Sequence, residues 1–129
     1  MLDNLERFKD VIEISDVAKI LHCGRNAAKR AIPIEMSFFN VNGKTYVNKS
    51  KFYKYLSSVL CMEEDTLRFG IVPDLISISD VVKEYGLTLE DMDEYKRNGR
   101  IRYYDFFGLI RYNKSDIDKI VERNNLRAG

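Results

Sequence analysis

The chain has 129 residues, 45% of them hydrophobic, with eight Tyr and seven Phe but no Trp. That length suits one ordinary domain, or two small ones near the lower limit of independent folding whose aromatics must supply much of the buried area. The formal charge of +1 gives no global sign of an acidic partner, and two distant cysteines, Cys23 and Cys61, argue against a disulfide framework or a zinc site.

A near-neutral total can still hide local fields, so charge has to be counted by segment. Met1-Leu2-Asp3-Asn4-Leu5-Glu6-Arg7 carries acids and no apolar run follows, so no signal peptide is expected. No stretch has the length of a membrane span. The expectation is a reduced, soluble, cytoplasmic protein.

In chain order, Leu2, Leu5, Phe8 and Ile12 stand at helix-like spacing and predict a short helical lead-in. Ile14, Val17, Ala18 and Leu21 make an apolar stripe of period 3.6, broken at His22-Cys23-Gly24. A basic helix is predicted over Arg25–Ile32, stopped by Pro33. Phe38–Val41 and Lys44–Val47 are β-prone runs joined by Asn42-Gly43, a strong hairpin signal. Ser50 is the expected N-cap of a helix carrying Phe52, Tyr53, Leu56, Val59 and Leu60. Met62–Arg68 either extends that helix or unwinds, and Gly70 and Pro73 make the break.

The plan then repeats. Ser77 with Asp80 resembles a capping box before a stripe of Ile78, Val81, Val82 and Tyr85. Gly86 ends that helix, and Thr88 caps another from Leu89 to about Arg97, closed by Asn98-Gly99. Arg100–Tyr104 and Leu109–Tyr112 read as strands around Gly108, and Ser115 is expected to cap a last helix whose Ile117, Ile120 and Val121 face inward. The repetition reaches the residues themselves. Ile14-Ser15-Asp16-Val17-Ala18-Lys19 recurs 64 positions on as Ile78-Ser79-Asp80-Val81-Val82-Lys83. Gly43 and Asn48-Lys49-Ser50 recur 65 positions on as Gly108 and Asn113-Lys114-Ser115. Two copies of one module are expected, over 1–69 and 70–129, in a mainly α chain with small β-hairpins (α+β).

The order helix, turn, helix, hairpin, helix resembles the excisionase and MerR-type winged helix-turn-helix superfamily. In copy two the matching residues are Ile76-Ser77-Ile78-Ser79-Asp80-Val81-Val82, Tyr85-Gly86-Leu87-Thr88, Asn98-Gly99-Arg100-Ile101 and Arg111-Tyr112-Asn113-Lys114-Ser115-Asp116. In copy one they are Ile12-Glu13-Ile14-Ser15-Asp16-Val17-Ala18, Leu21 and Tyr46-Val47-Asn48-Lys49-Ser50. The resemblance implies tandem winged helix-turn-helix modules that grip double-stranded DNA, the second helix in the major groove and the hairpin wing on the adjacent backbone or minor groove. Carried onto copy one, it puts Arg25, Asn26, Lys29 and Arg30 on the groove-facing helix and Lys44 on the wing. Ala31-Ile32-Pro33-Ile34 departs from the family's glycine-containing turn.

Charge separates the copies. Arg25–Lys54 holds seven bases, Lys49 among them, against the single acid Glu35. Arg25 and Lys29 share a helical face and can contact several phosphates, while Arg25 or Arg30 can pair with guanine and Asn26 with adenine. A solvated surface is the plainer reading. In copy two the equivalent helix is acidic, with Glu84, Glu90, Asp91, Asp93 and Glu94 and no base before Tyr95. These acids either repel DNA and meet a protein partner, or simply suit the amino end of their helix. Lys96–Lys114 then holds six bases, including Arg97, Arg100 and Arg102, against Asp105. Those bases can clamp phosphates from the wing side. Phe106 and Phe107 at the second hairpin tip either form a partner surface or fold back onto the core or onto copy one, with insertion between DNA bases a lesser option.

His22 is the one histidine, and no phosphate loop, nucleotide fingerprint or catalytic constellation accompanies it. No enzyme, cofactor or metal is expected. The expected function is sequence-specific DNA binding in recombination, transcription control or packaging in a phage or mobile element, with copy one reading the groove. The rival is a protein-interaction adaptor that keeps the fold without DNA binding, and self-association through copy two is a further option.

Overall fold

The computed structural model describes residues 10–33, 36 and 38–128. Among these the chain is α+β, with seven helices and two small three-stranded antiparallel sheets. It divides into two compact units, Met1–Val72 with Phe106–Leu109, and Pro73–Asp105 with Ile110–Gly129. The lead-in residues Leu2, Leu5 and Phe8 lie outside the described residues, as do Ile34 and Glu35. No helix among the described residues is long and apolar enough to cross a membrane.

The first unit opens with strand β1 (Val11–Glu13), which takes Ile12 out of the expected helix. Its pairing partner is remote in sequence: Ile12 lies opposite Val47 of β3 (Lys44–Asn48). Helix periodicity in a short window has no access to such a partner. Helix α1 (Ile14–Leu21) buries Ile14, Val17, Ala18 and Leu21, as its stripe requires. It ends where His22 turns left-handed at φ 55°, with N–H bonds from His22 to the Lys19 carbonyl and from Cys23 to the Ala18 carbonyl. That is a Schellman closure made without glycine.

Helix α2 (Arg25–Arg30) turns only the small Ala28 fully inward. It stops two residues short of Ile32, since a residue before proline is pushed out of the helical region. Strand β2 (Phe39–Val41) pairs with β3 across Asn42 and Gly43, both at positive φ as the tight hairpin turn demands. Helix α3 (Lys49–Leu60) is capped by Asn48, whose side chain accepts the Lys51 N–H at 2.9 Å. Ser50, expected as the cap, lies inside the helix and donates its hydroxyl to the Asp10 carboxylate instead. Cys61 ends α3 in the left-handed region, and Glu64–Arg68 forms a separate short helix, α4.

The second copy repeats this order with β4 (Leu75–Ile76), α5 (Ile78–Tyr85), α6 (Leu89–Arg97), β5 (Tyr103–Phe106), β6 (Leu109–Asn113) and α7 (Lys114–Ala128), all in the second unit except the hairpin tip Phe106–Leu109. The strand orders are β1-β3-β2 and β4-β6-β5. The duplication extends to register. Val11 opposite Asn48 and Ile12 opposite Val47 recur as Leu75 opposite Asn113 and Ile76 opposite Tyr112. The Lys49 N–H donates to the Asp10 carbonyl at 2.9 Å, and the Lys114 N–H to that of Asp74 at 3.0 Å.

The core of the second unit joins Ile76, Val81, Leu87, Met92, Ile101, Tyr112, Ile117 and Ile120. Val82, expected in the buried stripe of α5, is instead exposed. Strand β5 starts at Tyr103 rather than Arg100. Ile101 is drawn into the core, and the Arg102 N–H goes to the Asp116 carboxylate instead of to a strand. Since α7 begins at Lys114, Ser115 sits within its first turn.

Candidate nucleic-acid interface

In the first unit, Gly24 opens α2 in extended geometry, which sets Arg25 and Asn26 at the start of the helix and Lys29 one turn on. Burial of Ala28 fixes the rotation of α2, so all three polar side chains face outward. The β2–β3 turn presents Lys44 and Thr45 to the same place. Arg25, Asn26, Lys29, Gly43, Lys44 and Thr45 line one open groove together with Glu13. Four of the six residues expected to bind DNA in copy one are therefore gathered by the fold.

The other two are not. Arg30 is exposed on α2 away from this groove, and Lys49 lines a different depression with Asp16, Lys19, Tyr46 and Tyr53. Among the described residues, Arg25, Lys29, Arg30 and Lys44 make no ion pair. Their charges are unanswered within the described part of the chain, and such exposed cations can contact phosphate oxygens.

Charges in the second unit are differently arranged. Arg25, Asn26, Lys29 and Arg30 correspond, 64 positions on, to Leu89, Glu90, Asp93 and Glu94 of α6. Glu90, Asp93 and Glu94 are exposed, and Leu89 is 63% exposed. Asp91 is occupied within its own helix. Its carboxylate accepts the Thr88 N–H while the Thr88 hydroxyl accepts the Asp91 N–H, both at 3.0 Å. This reciprocal capping box closes the amino end of α6.

The bases that follow α6 are partly engaged. Arg97 donates to the Asp93 carbonyl, and the Arg100 guanidinium lies 5.4 Å from the Tyr95 ring centre. Arg102 is bound to Asp116. Burial works against the charged form of Asp116. Hydrogen bonds from the Arg102 guanidinium and backbone N–H, with that guanidinium's charge and a smaller contribution from Lys119, outweigh it and hold the carboxyl below its ordinary value. The same hydrogen bonding raises Arg102.

At the second hairpin tip the two phenylalanines separate. Phe106 is completely buried within the first unit, its ring 6.1 Å from that of Tyr55. Phe107 is 66% exposed and sits at φ 51°, an unfavourable backbone for a bulky side chain. Of the pair, only Phe107 offers its ring to solvent.

No protein-family model, curated protein or solved structure matches this chain.

One basic cluster is not evident from charge counting along the chain. Lys119 and Arg123, four apart on α7, line a concavity of the second unit with Arg100, Asp116 and Ile120. Their helical spacing is legible in the sequence, but nothing there brings Arg100 beside them. Among the described residues no group of three or more His, Cys, Asp or Glu is arranged to hold a metal ion.

Proposed function

We propose that this chain binds double-stranded DNA through the first unit, as a winged helix-turn-helix of the excisionase and MerR type. Arg25, Asn26 and Lys29 of α2 would meet the major groove while Lys44 of the hairpin reaches the neighbouring backbone. The observation that carries this reading is the convergence on one groove of three polar residues from a helix and a lysine from a hairpin. Sequence selection would rest on Arg25 and Asn26, whose side chains match guanine and adenine edges. Lys29 and Lys44 would supply the sequence-independent attraction to phosphate. The second unit is a helper whose α6 presents acids where α2 presents bases. The biological setting within this reading is recombination directionality, transcription control or DNA packaging.

A second reading, an adaptor that contacts protein, is favoured by α6 alone: exposed Leu89 stands beside exposed Glu90, Asp93 and Glu94. Backbone NMR titration of the whole chain with a duplex separates the two. The DNA reading expects the largest shifts at residues 24–29 and 43–45. Shifts absent from both segments would overturn it.

A further inference from the structure

A concavity of the second unit, distinct from the acidic face of α6, is lined by Arg100, Lys119 and Arg123. Arg100 is placed there by the end of α6. Gly99 turns left-handed at φ 71°, its N–H bonds the Lys96 carbonyl and the Arg100 N–H bonds the Tyr95 carbonyl. This Schellman closure fixes where Arg100 leaves the helix. The Tyr95 ring, 5.4 Å from its guanidinium, then holds the side chain.

Lys119 and Arg123 reach the same concavity from successive turns of α7. Like charges at this spacing weaken a helix by about 0.2–0.5 kcal/mol, so Lys119 and Arg123 do not support α7 through one another, although Lys119 also stands three residues from Asp116 and its charge favours that carboxylate. Among the described residues none of the three cations forms a salt bridge. The acid beside them, Asp116, is 9% exposed and tied by Arg102, which limits its effect on an incoming anion.

We propose that Arg100, Lys119 and Arg123 form a phosphate-binding site, separate from the α2 groove and outside the acidic face of α6. Two guanidinium forks and an ammonium on one concave surface suit an oxyanion with several acceptor oxygens. Both a phosphodiester of the DNA backbone and free phosphate present that chemistry. The DNA source rests on the function proposed above; the site itself does not.

The test uses the full chain and its Lys119→Gln, Arg123→Gln double variant, which removes charge from two exposed positions. In the first arm, inorganic phosphate is titrated while the arginine side-chain NMR signals are followed. Saturable shifts of Arg100 and Arg123 are expected, with the Arg100 response lost in the variant. In the second arm, duplex affinity is measured against salt. If the DNA backbone is the source, the variant's log–log slope is shallower by about two, equally on unrelated sequences.

Saturation by inorganic phosphate with an unchanged duplex slope supports the site and assigns it to free phosphate. No response in either arm overturns the inference. Loss of duplex binding in an Arg25→Glu, Lys29→Glu variant, with no response in these two arms, leaves the α2 reading standing and removes this one. Unchanged duplex binding in that α2 variant sinks the α2 reading, and the phosphate arm still decides this site.

Discussion

Arg102 donates three hydrogen bonds to Asp116: its backbone N–H and Nε to Oδ2, at 2.9 and 3.0 Å, and its Nη2 to Oδ1 at 3.0 Å. A residue that charge counting groups with the expected DNA-binding bases is thus fixed to the first turn of α7. The pair ties the segment before β5 to that helix, and it is private to the second unit. The equivalent of Asp116 in the first copy is Lys51.

Asp116→Asn is expected to destabilise the protein by about 1–3 kcal/mol, because hydrogen bonds to a charged acceptor weaken and one acceptor oxygen is lost. The pH dependence follows from the lowered carboxyl. Stability from the pair is fully present above the unfolded carboxyl value, about 4, and is lost as pH falls through the lower folded value. Thermal unfolding from pH 7 down to pH 2 should show an acid-side loss in the native protein that is smaller in Asp116→Asn. Parallel curves would contradict this.

Gly86 closes α5 at φ 68°, with open space where a Cβ would go. Gly86→Ala therefore meets a backbone penalty and no clash, with an expected loss of about 1–2 kcal/mol. Denaturant titration should show a lower midpoint at unchanged slope. His22 holds the corresponding left-handed position 64 residues earlier, so the first copy already carries this strain.

Asn48, not Ser50, caps α3. Asn48→Ala should cost about 1 kcal/mol and Asn48→Ser much less, since serine retains a capping oxygen. Equal losses for the two substitutions would show that the side-chain bond to Lys51 adds nothing.

Reversing charge on α6 should help DNA binding if the second unit lies near the duplex. Glu90→Lys with Glu94→Lys is the suitable pair, because both acids are exposed whereas Asp91 belongs to the capping box. Duplex affinity is expected to hold or rise, and a tenfold fall would assign these acids a positive role.

Sequence is most informative where local chemistry decides the structure. Thr88 with Asp91, Asn42-Gly43 and the stripe of α1 each specify their element within a few residues. Strands β1 and β4 escape sequence reading because two or three residues become a strand only through partners more than 30 positions away. Ser50 has the residue type of a cap, but register set by the Asp10 carbonyl starts the helix two residues earlier and gives that role to Asn48. In the basic groove, Arg25, Asn26 and Lys29 are legible from helical spacing, and Lys44 from the hairpin turn. The exclusion of Lys49 and the engagement of Arg102 depend on tertiary placement that charge counting along the chain does not contain.

The groove of Arg25, Asn26, Lys29 and Lys44 is proposed to grip duplex DNA. Fluorescence anisotropy of a labelled duplex across a salt series tests it most directly, with the native chain compared against Arg25→Glu, Lys29→Glu. The native chain should bind with an affinity that falls linearly on logarithmic axes as salt rises, and the variant should not bind. A flat native response at low salt, or native-like binding by the variant, would contradict the claim.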